Sequence, residues 1–166
     1  MFHSHTPDTA PTGSRTTMTA IESRFGFLPG AVALMAESPE LLTAFTRSNA
    51  LFERSNLTPV ARETLVLTVA QRNGCELCVA MHTPVLERLG GSPDSTDPAL
   101  MALRRFVHVV LDTTGDVSEE DLAAFIAAGY TARNALEVVL GIGTYTLSTF
   151  ANRLTRAPID PQFAVS

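Results

Sequence analysis

The sequence predicts an all-α domain, and three observations carry that reading. Ser, Thr or Asp recurs at intervals of a helix plus its connection, followed by Pro or by acidic residues. Between those points apolar residues recur at three- and four-residue spacing. No run alternates apolar and polar residues between turn signals, so nothing asks for a strand.

Residues 1 to about 20 are dominated by Ser, Thr, Pro and Gly without periodicity, and are expected to form a flexible N-terminal tail, with the domain spanning residues 21–166. Met18 stands near that boundary and is an alternative start. Pro29 opens a short helix through Met35. Ser38-Pro39, as N-cap and first helical residue, begins a second helix carrying Leu41, Leu42, Phe45 and Phe52. Thr58-Pro59 begins a third, which runs to about Arg72 and stops at Asn73-Gly74, residues that tolerate positive φ. A fourth runs from Cys75 to Gly90-Gly91 and forms an antiparallel hairpin with the third. Asp97-Pro98 begins a fifth, with Leu100, Leu103, Phe106, Val107 and Val110 on one face. Ser118 caps a short helix to Ala128 through an acidic first turn, read as a capping box. Thr131 caps the last and longest helix, which ends before Pro158.

Composition removes several functions. The 166 residues amount to about one domain. Net charge is −5 with no basic run, so no nucleic-acid partner is expected. All 12 basic residues are arginine; without lysine there is no Schiff base, pyridoxal anchor or P-loop. Neither a secretory signal nor a membrane span is expected, because the longest apolar stretch, Ala135 to Ala151, carries Glu137 and several hydroxyls. The expectation is a cytoplasmic enzyme without membrane association. The last helix is too apolar for a lone surface helix, which predicts a homo-oligomer.

The chemistry is concentrated in Gly74-Cys75-Glu76-Leu77-Cys78-Val79-Ala80-Met81-His82. On a helix, Cys78 lies about 60° and His82 about 20° around the axis from Cys75, so the three share a face. A C-x-x-C pair at a helix start can close a disulfide, and the helix N-terminus stabilises a thiolate. His82 follows Cys78 by one turn, where its ring can accept the thiol proton. Glu63 shares its helix face with Val66, Leu67 and Ala70; a carboxylate on an apolar stripe needs a partner or a proton. Across the hairpin it can serve the cysteine pair as a proton acceptor. The helix dipole alone favours Cys75 as the acidic thiol, whereas the spacing to His82 favours Cys78.

Plainer readings stand beside these. The cysteines could be two buried small residues, or three or four of these side chains could hold zinc. His82 could be a core histidine, and Glu63 a cap or an ion-pair partner. His108 reads as structural, His3 and His5 as tail residues, and Glu137 as a packed carboxylate paired with arginine. Gly141-x-Gly143 follows no strand and serves close helix packing rather than a nucleotide.

Glu63, Cys75, Cys78 and His82 match the E-(x11)-C-x-x-C-x-x-x-H pattern of the AhpD-like, carboxymuconolactone-decarboxylase-related family. Phe25-Gly26-Phe27-Leu28-Pro29, Ser38-Pro39-Glu40-Leu41-Leu42 and Phe150-Ala151-Asn152-Arg153 resemble its peroxidase-related branch. The resemblance implies an AhpD-like helical domain with a CxxC-bearing hairpin, usually oligomeric. It implies a peroxiredoxin-type enzyme that reduces alkyl hydroperoxides and is re-reduced by a lipoamide- or thioredoxin-like dithiol, with no cofactor and no metal. In the family the second cysteine, here Cys78, attacks the peroxide, the first, here Cys75, resolves the sulfenic acid, and Glu63 and His82 relay protons. Founding members carry a histidine where this chain has Leu77, which leaves the relay from Glu63 to Cys75 incomplete or water-mediated. Decarboxylases of the superfamily lack the cysteine pair. The alternative is a non-catalytic redox-sensing or metal-binding oligomeric module built on the same residues.

Overall fold

The computed structural model describes residues 1–163. Among these residues it contains eight helices and no strand: α1 (Thr12–Phe25), α2 (Gly30–Met35), α3 (Pro39–Phe52), α4 (Pro59–Arg72), α5 (Glu76–Arg88), α6 (Pro98–Asp112), α7 (Glu119–Ala127) and α8 (Ala132–Thr155). The expected capping residues sit where helices begin. Ser38, Thr58, Asp97, Ser118 and Thr131 each accept a backbone N–H of the first turn with their side chains. Such a cap stabilises a helix by about 1 kcal/mol. The reciprocal capping box forms at Thr131 with Asn134. At Ser118 the hydroxyl instead donates to the Asp121 carboxylate, which also binds Arg105.

Helix α4 is the centre of the molecule. Glu63 through Ala70 are buried without a break, so it has no solvated face over two turns. It packs against α5, α6 and α8. One apolar cluster joins Phe52, Leu65, Val69, Leu103, Phe106, Phe125 and Val138. A second gathers Met18, Met35, Leu42, Ala70, Leu77, Ala151 and both cysteines. Helix α8 reaches both clusters, and Gly141 sets its approach: a Cβ there would lie 2.6 Å from Phe52 Cε2 and 2.7 Å from Leu65 Cδ2. That is the close packing expected for this glycine.

The N-terminus differs from the expected tail. Residues 12–25 form α1, which packs on α3, and Met18 is fully buried. The buried face consists of Ala10, Ser14 and Met18 at four-residue spacing. Two of these are too small to announce an apolar stripe. Ser14 is accommodated because its hydroxyl donates to the Ala36 carbonyl at 2.7 Å. Upstream, His5 pairs with Glu37 at 2.8 Å. A boundary at residue 21 would therefore cut through a packed helix. His108 is exposed on α6 rather than packed. Glu137 pairs with Arg133 as expected, at 2.9 Å.

No helix among the described residues is long and apolar enough to cross a membrane.

Candidate active site

The site is built on the α4–α5 hairpin. Asn73 ends α4, and Gly74, at φ +63°, takes the left-handed conformation that turns the chain. The Cys75 N–H closes the turn on the Ala70 carbonyl at 2.9 Å. Arg153 of α8 donates to the Asn73 carbonyl at 2.8 Å, and the Asn73 side chain donates to Thr149 at 2.9 Å. Helix α8 thus clamps the turn that carries the cysteines.

Cys75 is the N-cap residue of α5 and Cys78 lies in its first turn. Both are free thiols, buried to 2% exposure, with their Sγ atoms 2.8 Å apart. When one ionises, the other thiol donates to it. The Cys75 pKa is brought down to about 6. Donation from the Cys78 thiol is the largest cause, helped by the Cys78 backbone N–H, the Asn152 carboxamide and the Arg153 charge, against a burial penalty. The same coupling pushes Cys78 up: its proton is held by the Cys75 sulfur, and burial adds to that. The first negative charge of the reduced pair therefore rests on Cys75, in line with the helix-start argument and against the reading from His82 spacing.

Asn152 stands beside the pair. Its Nδ2 donates to Cys78 Sγ at 3.3 Å and lies 3.4 Å from Ser148 Oγ. Its Oδ1 is buried and has no hydrogen-bond partner among the described residues.

Glu63 and His82 form a second pair. Glu63 Oε2 and His82 Nδ1 are 2.8 Å apart, with side-chain exposures of 12% and 18%. A carboxylate held on Nδ1 fixes the tautomer that carries its proton there and leaves Nε2 as the basic nitrogen. The ring also meets Tyr145 edge-to-face at 5.4 Å. Burial, and then the Glu63 charge, push the Tyr145 pKa upward, so this phenol stays protonated; it donates to Asn49 at 3.0 Å.

The structure thus joins Glu63 to His82 and Cys75 to Cys78. It does not hydrogen-bond His82 to either sulfur. Glu63 finds its partner in His82 rather than at Cys75. Leu77 is buried in the apolar cluster that surrounds the cysteines. Among the described residues, no group of three or more His, Cys, Asp or Glu side chains is arranged to hold a metal ion. Sequence reasoning missed Asn152, Ser148 and Tyr145 as site residues. The signal that marks Glu63, a polar residue on a buried helix face, also marks these positions on α8.

A titration follows from this geometry. Thiolate absorbance should rise by one equivalent with a midpoint at about pH 6. Below that pH both sulfurs are protonated, and alkylation should slow. Cys78→Ala removes the largest stabilising donor and should move the midpoint toward the ordinary thiol value. A wild-type midpoint at about 8.5, the value of a free thiol, would contradict the assignment.

Residues 39–105 match the model of the carboxymuconolactone decarboxylase family. No curated protein matches the chain. Among solved structures the fold is shared with an uncharacterized peroxidase-related protein from Ralstonia eutropha, described as an alkylhydroperoxidase AhpD core. The TM-score is 0.82 and the identity 22%, over 98% of this chain and 93% of that one. A peroxidase-related protein from a Silicibacter species gives 0.80 at 17% identity, over 98% and 91%. A cysteine-to-alanine variant of the debrominase Bmp8, in complex with 2,3,4-tribromopyrrole, gives 0.74 at 15% identity, over 98% and 93%. The family match begins at the first residue of α3 and ends within α6, so it contains Glu63, both cysteines and His82. The segment from α3 into α6 is thus similar to the carboxymuconolactone decarboxylase family, and the helical fold of the chain is that of the AhpD-core structure.

Proposed function

We propose that the chain is a thiol-dependent peroxidase that reduces alkyl hydroperoxides through Cys75 and Cys78 and is re-reduced by a dithiol. The observation that carries this reading is a pair of free thiols 2.8 Å apart at a helix start, one of them acidic, beside a carboxylate-held histidine.

The two sulfurs divide the labour. Cys78 is the attacking sulfur: it lies one turn before His82 on α5 and against the Asn152 amide, and the family resemblance gives this role to the second cysteine of the pair. Its proton must first be removed, and His82 Nε2, backed by Glu63, is the base. The Cys78 thiolate attacks the terminal peroxide oxygen, the O–O bond breaks, and the alkoxide takes the proton from His82 to leave as alcohol. Cys75, already a thiolate at neutral pH, then attacks the Cys78 sulfenic sulfur. Hydroxide leaves and takes a proton from solvent, and the disulfide closes. When a dithiol attacks Cys78, Cys75 departs as the thiolate of lower pKa, the better leaving group.

Steady-state consumption of an alkyl hydroperoxide, with dihydrolipoamide or reduced thioredoxin as donor, tests the reading. Sustained turnover is expected. Stoichiometric oxidation without turnover would instead fit a redox sensor.

A homo-oligomer belongs to the same proposal. Leu136, Val139, Leu147, Phe150 and Leu154 are exposed along one side of α8, with Leu136 and Leu154 at 73% and 70% exposure. They form two apolar groups on one face, Leu136 with Val139 and Leu147 with Phe150 and Leu154, with open space around Gly143 between them. Such a face is suited to another copy of the chain. Light scattering should give a mass above 17.8 kDa, and Leu147→Glu with Phe150→Glu should return the monomer. A monomeric wild type at micromolar concentration would contradict it.

A further inference from the structure

The Asn152 carboxamide is half used. Its Nδ2 donates to Cys78 Sγ at 3.3 Å, while its Oδ1, buried within a residue of 4% exposure, has no partner among the described residues. A buried acceptor without a donor costs about 1–3 kcal/mol, so the reduced protein tolerates a deficit beside its reacting sulfur. The neighbours of this amide, Ser148 and Cys78, meet only its nitrogen.

Oxidation of Cys78 supplies the missing donor. Attack on a hydroperoxide converts the thiolate to S–O–H, adding one oxygen and one O–H at that sulfur. Both heteroatoms of the amide are bonded to one carbon, so the acceptor without a partner belongs to the same carboxamide that contacts this sulfur. Resting on the peroxidase reading, we propose that Asn152 holds the Cys78 sulfenic acid, Oδ1 accepting its O–H while Nδ2 faces the sulfur.

Two consequences follow. The sulfenic acid is kept protonated. A sulfenate anion is the better nucleophile toward a second hydroperoxide, in the step RSOH + R′OOH → RSO2H + R′OH, which moves sulfur to the sulfinic level and retires the enzyme. Orientation is the other consequence: with its oxygen drawn toward α8, the sulfur remains open to Cys75, 2.8 Å away in the reduced state. Asn152 therefore directs the intermediate to disulfide and away from overoxidation.

The test uses Cys75→Ser, which cannot close the disulfide, alone and combined with Asn152→Ala or Asn152→Asp. Each protein is treated with cumene hydroperoxide, and sulfenic and sulfinic species are followed by mass spectrometry with dimedone trapping. Asn152→Ala should raise the rate of sulfenic-to-sulfinic conversion about tenfold, the scale of one lost hydrogen bond at a buried site. Asn152→Asp keeps an acceptor but replaces the Nδ2 donor with a second oxygen, so its rate should lie between those of the parent and Asn152→Ala, and thermal melts confirm that both variants fold. Equal conversion rates in parent and Asn152→Ala, after normal sulfenic formation, would overturn this inference alone. Failure of the Cys75→Ser parent to form any sulfenic acid would overturn the peroxidase reading with it.

Discussion

Cys78→Ser should abolish hydroperoxide consumption, while Cys75→Ser should consume a single equivalent and stop. The asymmetry is the largest effect the site predicts, because the two sulfurs, equally buried, differ in their place on the hairpin and in their acidity. Cys78 lies next to the Asn152 amide and one turn from His82 on the same helix. Cys75 lies at the turn, held as a thiolate by the Cys78 donor and by the charge of Arg153. Removing Cys78 removes the nucleophile, since hydroxyls do not attack peroxides at useful rates. Removing Cys75 strands the reaction at a sulfenic acid that dimedone can trap. The reverse pattern, with Cys78→Ser trapped as a sulfenic acid on Cys75 and Cys75→Ser inert, would show that the acidic thiol is also the attacking one.

His82→Ala should slow hydroperoxide reduction at neutral pH by about a hundredfold, at the lower end of what a positioned general base contributes. The loss should shrink as pH rises, because hydroxide then removes the Cys78 proton without help. Glu63→Gln should cost about tenfold. The glutamine still reaches Nδ1, but it no longer stabilises the imidazolium formed when Nε2 accepts the proton. Pre-steady-state measurement of the first oxidation, between pH 6 and 9, separates this from donor recycling. A deficit in His82→Ala that stayed constant with pH would mean that the ring only packs against Tyr145.

Most of the architecture was legible because its signals are local. Proline after Ser38, Thr58 and Asp97 writes helix starts into the sequence, and Asn73-Gly74 writes a stop. The hairpin and the cysteine spacing follow from those boundaries, and Glu63 betrayed itself as a charge on an apolar stripe. Helix α1 was not legible. Its buried face uses Ala10 and Ser14, residues that read as linker, and only the distant Ala36 carbonyl makes the serine acceptable there. Asn152 was hidden for the same reason: it matters only because α8 folds back over the α4–α5 turn, a contact between residues 74 positions apart. The relative acidity of the sulfurs was a tertiary property too. The spacing of His82 and the helix start gave opposite answers, and the placement of Cys78, Asn152 and Arg153 around Cys75 decides between them for the resting state.

The most direct test of the central claim is the thiol count and intact mass of the wild-type protein after one equivalent of alkyl hydroperoxide, followed by a dithiol. The account predicts that both free thiols disappear together, that the mass falls by two hydrogens, and that peptide mapping joins Cys75 to Cys78. One equivalent of alcohol should be released, and dihydrolipoamide should restore both thiols. A thiol count that stays at two after exposure to the hydroperoxide would contradict it.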